Sequence, residues 1–188
     1  MYSQHHFPLL HRLLHWGLAL TMMVMLLTVL LRMGWMDKNH MAAMIDQGLV
    51  KLGIIITDKQ AVSIARAIRG VMFKWHVYFG YGVTGLVFAR FIYMFKWGTH
   101  YQSAFSSQAT AKQKAQAWVY WGFYAGVATS VITGLLLEFG PQAIERQAET
   151  LHQLALWYFI PFICLHFAGI LLAESGSDKG IVSKMIGG

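Results

Sequence analysis

Nine histidines among 188 residues are the side chains of this sequence best suited to chemistry, and two of them, His152 and His166, share one long apolar segment. Fourteen helical steps of about 100° return the second to within roughly 40° of the face of the first, and a rise of about 1.5 Å per residue separates them by about 21 Å. One helix would then present two imidazoles on one face at two depths. A strongly polar side chain inside a bilayer is costly and needs a partner, so two on one segment ask for a common explanation. Two stacked haems supply one.

A haem iron held by two imidazoles takes one neutral histidine from each of two facing helices, with the other ring nitrogen oriented by a hydrogen bond. Four apolar stretches are long enough to cross a hydrocarbon core, which takes about 20 residues: Leu13 to Leu31, Trp75 to Phe95, Ala117 to Leu137 and Leu151 to Ala173. Successive stretches run in opposite directions. His15, early in the first, therefore falls near the same side as His166, late in the fourth, and His76, early in the second, falls with His152, early in the fourth. Two pairs at two depths use four histidines. One intramembrane histidine is as readily a polar residue bonded to a neighbouring helix; four that pair by depth are not. His5, His6 and His11 precede or open the first stretch and His40 and His100 fall in loops, where water or headgroups serve them. His11, one turn before His15, is the nearest rival ligand. Gly80, four residues after His76, and Gly169, three after His166, share the faces of those histidines and keep side chains low where a porphyrin would lie.

The elements that must hold these ligands follow from composition. With 56% hydrophobic and 12% charged residues and mean hydropathy +0.47, the chain is far more apolar than a soluble domain, which carries about 25% charged residues. It reads as one all-α integral membrane domain over residues 1–188, a four-transmembrane-helix bundle with helices at 9–33, 70–97, 113–139 and 149–173. The first stretch exceeds the apolar region of a signal peptide, and no small-residue cleavage site follows it, so it is expected to be retained. The single cysteine, Cys164, excludes an intrachain disulfide framework and a thiolate metal site. The formal charge of +7 does not point to nucleic acid, because the basic residues are dispersed through loops and helix ends. The first loop, 34–69, is long for a bundle, where connections run about 2 to 8 residues. Within it Met41, Met44, Ile45, Leu49 and Leu52 recur at helical spacing and predict a short amphipathic helix, either a cap over the bundle or a docking platform. Gly140-Pro141 ends the third helix, and Pro161 predicts a local bend in the fourth. Four spans put both termini on one side. The basic, acid-free connection from Lys96 to Ala115 makes that side cytoplasmic by the positive-inside tendency.

Arg12-Leu-Leu-His15-Trp16, His76-Val-Tyr-Phe-Gly80 with Arg90 beyond it, Ala111-Lys-Gln113-Lys114 leading to Thr133-Gly134, then His152, His166 and the closing Lys179-Gly180-Ile-Val-Ser-Lys-Met-Ile-Gly-Gly together resemble the bacterial cytochrome b561 family. Its relatives include the cytochrome b subunit of nickel-iron hydrogenase and the γ subunit of formate dehydrogenase. The resemblance implies two b haems in a multi-pass protein of the bacterial inner membrane. Its lipid-embedded bundle would pass electrons between a periplasmic redox protein, or a hydrogenase- or dehydrogenase-type subunit, and a quinone, ubiquinone or menaquinone. Carried over by position, His76 and His152 would hold the periplasmic haem, and His15 and His166 the cytoplasmic one. In the formate dehydrogenase type a quinone headgroup lies near an Asn-Ala-Gly-Gln-Lys turn. Here that turn reads Thr110-Ala111-Lys112-Gln113-Lys114, which keeps Gln113 as the quinone candidate and replaces the Asn and Gly. Arg12, Arg69 and Lys74 are placed to pair with propionates or to snorkel to headgroups, and Gln113 and Glu174 to serve a proton route. Some stand-alone members oxidise superoxide at the periplasmic face and reduce quinone, so a superoxide oxidase is the alternative. A small transporter or metal-binding membrane protein using the same histidines is the third class.

Overall fold

A computed structural model describes residues 7–98, 103–176 and 179–188; His5, His6 and His100 lie outside them. The described residues are helical, with no strand among them. The helices are α1 (Leu9–Met33), α2 (Lys38–Val50), α3 (Asp58–Trp97), α4 (Ala111–Phe139), α5 (Glu145–Gln153), α6 (Ala155–Ser175) and α7 (Ile181–Gly187), with a 3₁₀ turn at Gln142–Ile144 before α5. Four segments are long and apolar enough to span a membrane: α1, α3, α4 and Gln142–Ser175. Their outward faces carry large apolar side chains such as Leu20, Phe88, Trp157 and Leu171, the pattern expected where lipid replaces water as solvent.

The chain forms two compact units: Leu18–Gly85, and Met1–Gly17 together with Leu86–Gly188. In Leu18–Gly85 the expected amphipathic helix is α2. Its N-terminus is capped by Asp37, whose carboxylate accepts from the backbone N–H of Asn39 at 2.9 Å and of His40 at 3.2 Å. Those bonds to His40 and Asn39 hold the Asp37 carboxyl below its ordinary range. Ala42 packs with Ala61 and Ala65, small side chains that let two helices approach closely, and Met41, Ile45, Ile56 and Val62 close around them.

The second span differs from the sequence-based boundary. It begins at Asp58 rather than at residue 70, so most of the 34–69 loop is helix. The reason is a capping box: the Gln60 side chain accepts from the backbone N–H of Thr57 at 2.8 Å, and the Thr57 hydroxyl accepts from the N–H of Gln60 at 3.3 Å. Two otherwise orphaned donors are thereby satisfied.

In the other unit α4 packs on α5 and α6. The single fourth helix expected from sequence is two. The helical assignment carries through Pro161, within α6, and is interrupted at Leu154. There Leu154 N–H reaches Leu151 at 3.2 Å and Trp157 N–H reaches Leu154 at 3.0 Å. Such i to i+3 turns advance about 120° per residue rather than 100°, so counting fourteen residues does not set the relative facing of His152 and His166. The break falls where polar α5 gives way to apolar α6. The seven-residue α7 is tied at both ends. Glu174 accepts from the N–H groups of Gly180 at 2.8 Å and Val182 at 2.9 Å, while Arg12 donates to Ile186 O at 2.9 Å and Trp16 to Met185 O at 3.1 Å. An anion at the positive end and a cation at the negative end complement the helix dipole.

Candidate haem ligands

His15, from the second turn of α1, and His166, from α6, come together in one unit. Their ring centres are 6.0 Å apart with planes inclined by 46°. Two imidazoles that share one metal ion, each nitrogen about 2 Å from it, put their ring centres about 6 Å apart, which is the spacing of this pair. The surroundings are aromatic. Phe162, one turn before His166, stacks on it at 5.6 Å and on Phe123 of α4 at 3.8 Å, and Trp16 meets His15 edge-on at 5.5 Å.

His152 is held against α4. Its Nδ1 lies 3.0 Å from Ser130 O and 3.1 Å from Thr133 Oγ1. A carbonyl can only accept, so Nδ1 carries the proton and the lone pair is on Nε2, the nitrogen that would bind a metal. The Thr133 hydroxyl donates to Thr129 O at 2.7 Å, which leaves its oxygen to accept. A Cβ on Gly134 would stand 3.2 Å from His152 Cε1, so this glycine, which sequence alone explained by helix packing, clears the ring's approach.

His76, 8% exposed, repeats the device in the Leu18–Gly85 unit. Its Nδ1 is 2.8 Å from Thr28 Oγ1, and Thr28 donates to Met25 O at 2.6 Å. One hydroxyl has one proton, so Nδ1–H donates to Thr28 and the lone pair again falls on Nε2. Phe73 stacks on the ring at 4.8 Å, and the Arg32 guanidinium lies 4.6 Å from the centre of Phe73. A hydrogen bond that fixes tautomer and ring direction is the usual companion of a metal-binding histidine. Thr28 supplies it for His76, and the Ser130 carbonyl with Thr133 for His152; sequence reasoning did not single out any of the three in that role.

Other sequence-based candidates have different employment. His11, expected in water or among headgroups, is 4% exposed. Its Nδ1 takes an N–H from Arg90 Nη1 at 3.0 Å, so that nitrogen is not available as a rival ligand. Gln113 completes a second capping box with Thr110 at the start of α4, its Oε1 accepting from Thr110 N at 2.8 Å. Arg12 and Glu174 secure α7, as described. His40 lies exposed in the first turn of α2 and Lys74 is exposed two residues before His76.

Among the described residues no three metal-ligating side chains converge. The donor sets are imidazoles, which suits an iron already held by four porphyrin nitrogens. The family model for prokaryotic cytochrome b561 matches residues 6–188. No curated protein and no solved structure matches the chain. Four apolar spans, the facing His15 and His166 rings, and a match over nearly the whole length lead to one conclusion: the chain belongs to the prokaryotic cytochrome b561 family, multi-pass membrane b-type cytochromes that transfer electrons.

Proposed function

We propose that the chain is a dihaem cytochrome that moves electrons across the bacterial inner membrane between a periplasmic redox partner and the quinone pool, with both termini cytoplasmic. His15 and His166 ligate the cytoplasmic-side haem, and His76 and His152 ligate the periplasmic-side haem. The observation that carries the reading is the 6.0 Å separation of the His15 and His166 rings. The Nδ1–H tautomers of His76 and His152 support it, because both direct Nε2 to a metal. When bound, haem supplies a one-electron iron couple. The chain's residues hold neutral imidazoles in place, exclude water with Phe123 and Phe162, and set the charge around each site. Quinone is taken up near the start of α4, where Gln113 keeps its amide N–H groups as donors while its oxygen serves the cap.

The deciding experiment is a reduced-minus-oxidised spectrum of the purified chain with haem-to-protein stoichiometry. Two b haems per chain are expected, with one lost in His152→Ala and the other in His166→Ala while the protein stays in the membrane. If either substitution leaves both haems in place, the pairing is wrong. Arg32 on Phe73, which stacks on His76, and the basic residues Arg69 and Lys74 at the start of that span favour a second reading, superoxide oxidation at that membrane face, because they would draw an anion. Superoxide-dependent quinone reduction by the isolated chain would support it, and co-purification of a redox subunit would favour the first.

A further inference from the structure

Arg90 is a permanent charge in a membrane-spanning helix, and each of its described partners is neutral. Nη1 donates to His11 Nδ1 at 3.0 Å, Nε donates to Tyr124 Oη at 3.4 Å, and the guanidinium carbon lies 5.5 Å from the centre of the Tyr93 ring. A guanidinium has five N–H donors, so these bonds leave most of its donor capacity and all of its charge unanswered. The polypeptide offers little to answer it. No acidic residue occurs from Lys59 to Leu137 or anywhere in α1, and Glu174 is engaged with the N-terminus of α7. Arg90 itself is half-buried, and its neighbours His11 and Tyr93 are 4% and 5% exposed, with Phe7 stacked on His11 at 5.3 Å.

The location identifies the anion. His11 precedes His15 by four residues, so the two rings are neighbours on one face of α1, and Arg90 is bonded to the first of them. We propose that Arg90 is the cationic partner of a propionate carboxylate on the haem held by His15 and His166, and that its charge raises that haem's potential. The inference rests on the ligand assignment above. It gives Arg90 a role that sequence position had suggested for Arg12, whose Nη1 donates to Ile186 O at the end of α7. A guanidinium fork matches a carboxylate with two parallel hydrogen bonds. The sign follows from charge: ferric haem carries one more positive charge than ferrous haem, so a fixed cation nearby, or a neutralised carboxylate, disfavours the oxidised form. His11 and Tyr124 are positioning residues that aim the guanidinium.

The test is redox titration of the α-band in the unsubstituted chain, Arg90→Gln and Arg90→Lys, repeated in a His152→Ala background that retains only the His15/His166 haem. Arg90→Gln should raise the oxidised-to-reduced ratio of that haem at fixed ambient potential at least tenfold, a fall of about 59 mV for one electron. The other haem should stay nearly unchanged and Arg90→Lys should recover most of the effect. Loading both chains with haem dimethyl ester, whose propionates are neutral, should shrink the effect of the substitution to less than half; an equal effect with free and esterified haem overturns the carboxylate partner. If Arg90→Gln does not accumulate, the ester in the unsubstituted chain decides: it should be retained at least tenfold more weakly at this site, and equal retention overturns the proposal. Two haems with both midpoints unmoved in Arg90→Gln overturn the Arg90 inference alone, whereas fewer than two haems in the unsubstituted chain overturn the ligand assignment beneath it.

Discussion

The four candidate ligands are held in two different ways. His76 and His152 each give Nδ1–H to a helix-borne threonine oxygen, with the Ser130 carbonyl as a further acceptor for His152. His15 and His166 have no hydrogen-bond partner among the described residues and are placed by aromatic packing, with Phe162, Phe123 and Trp16 around them. A hydrogen bond at Nδ1 fixes the tautomer and makes the imidazole a stronger donor. Aromatic packing fixes position alone and leaves the electronics to nearby charge such as Arg90. On the proposed ligand assignment, the first pair would favour ferric iron through the ligand and the second would favour ferrous iron through its surroundings. Electrons would then tend to rest on the His15/His166 side.

The largest expected effect that separates the two regions is haem loss by ligand removal: His76→Ala should release the same haem as His152→Ala, and His15→Ala the same as His166→Ala, read as pyridine haemochrome per chain. Release of different haems within a pair would dissolve the comparison. Next come the threonines. Thr28→Val should weaken retention of its haem by about 10- to 100-fold, and Thr133→Val by less, because His152 keeps the Ser130 carbonyl. Haem transfer to apomyoglobin measures both, and equal losses would show that the carbonyl contributes little. Gly134→Ala sets a Cβ 3.2 Å from His152 Cε1 and should cost about 1 to 3 kcal/mol through overpacking, read as a lower melting temperature of the holoprotein. Gly169→Ala, whose Cβ would meet nothing within 4 Å beyond its own helix backbone, should leave the melting temperature of the haem-free chain no lower and, through helix propensity, slightly raised.

The smallest effect lies far from either pair. The Asp37 carboxyl is held below its ordinary range by the N–H groups of His40 and Asn39. Its contribution to α2 is present above the unfolded value near 3.8 and is lost as pH falls through the lower folded value. Hydrogen exchange at the first amides of α2 should therefore be insensitive to pH-linked unfolding near neutrality and should show fraying in acid, a change that Asp37→Ala should produce at every pH.

Much of this was legible before any coordinates. The apolar run of α1 predicts Leu9–Met33 as found, because a lipid-facing helix is written as uninterrupted hydrophobicity. The helical spacing of Met41, Met44, Ile45 and Leu49 falls within α2, and Leu52 lies beyond its end. The early start of α3 was legible too, since Thr57-x-x-Gln60 is a capping signature, as is Thr110-x-x-Gln113 at α4. Polar residues there were read as loop because hydropathy registers solvent rather than hydrogen bonds. Gln113, singled out by motif as the quinone candidate, also has a structural task, since its side-chain oxygen accepts from Thr110 N at the helix start.

By itself the sequence determined the class of the protein: composition and span length require lipid on the outside, and the order of histidines along alternating spans allows only certain pairs to share a depth. Tertiary structure alone decided the neighbourhoods. It decided that Thr28 sets the tautomer of His76, that Ser130 and Thr133 hold Nδ1 of His152, that Arg12 donates to the end of α7, and that Arg90 is drawn onto His11. The reason is range. Hydropathy and capping act within a few residues and can be read in order, whereas each of these bonds joins residues that only folding brings together, from 19 positions apart for Thr133 and His152 to 174 for Arg12 and Ile186.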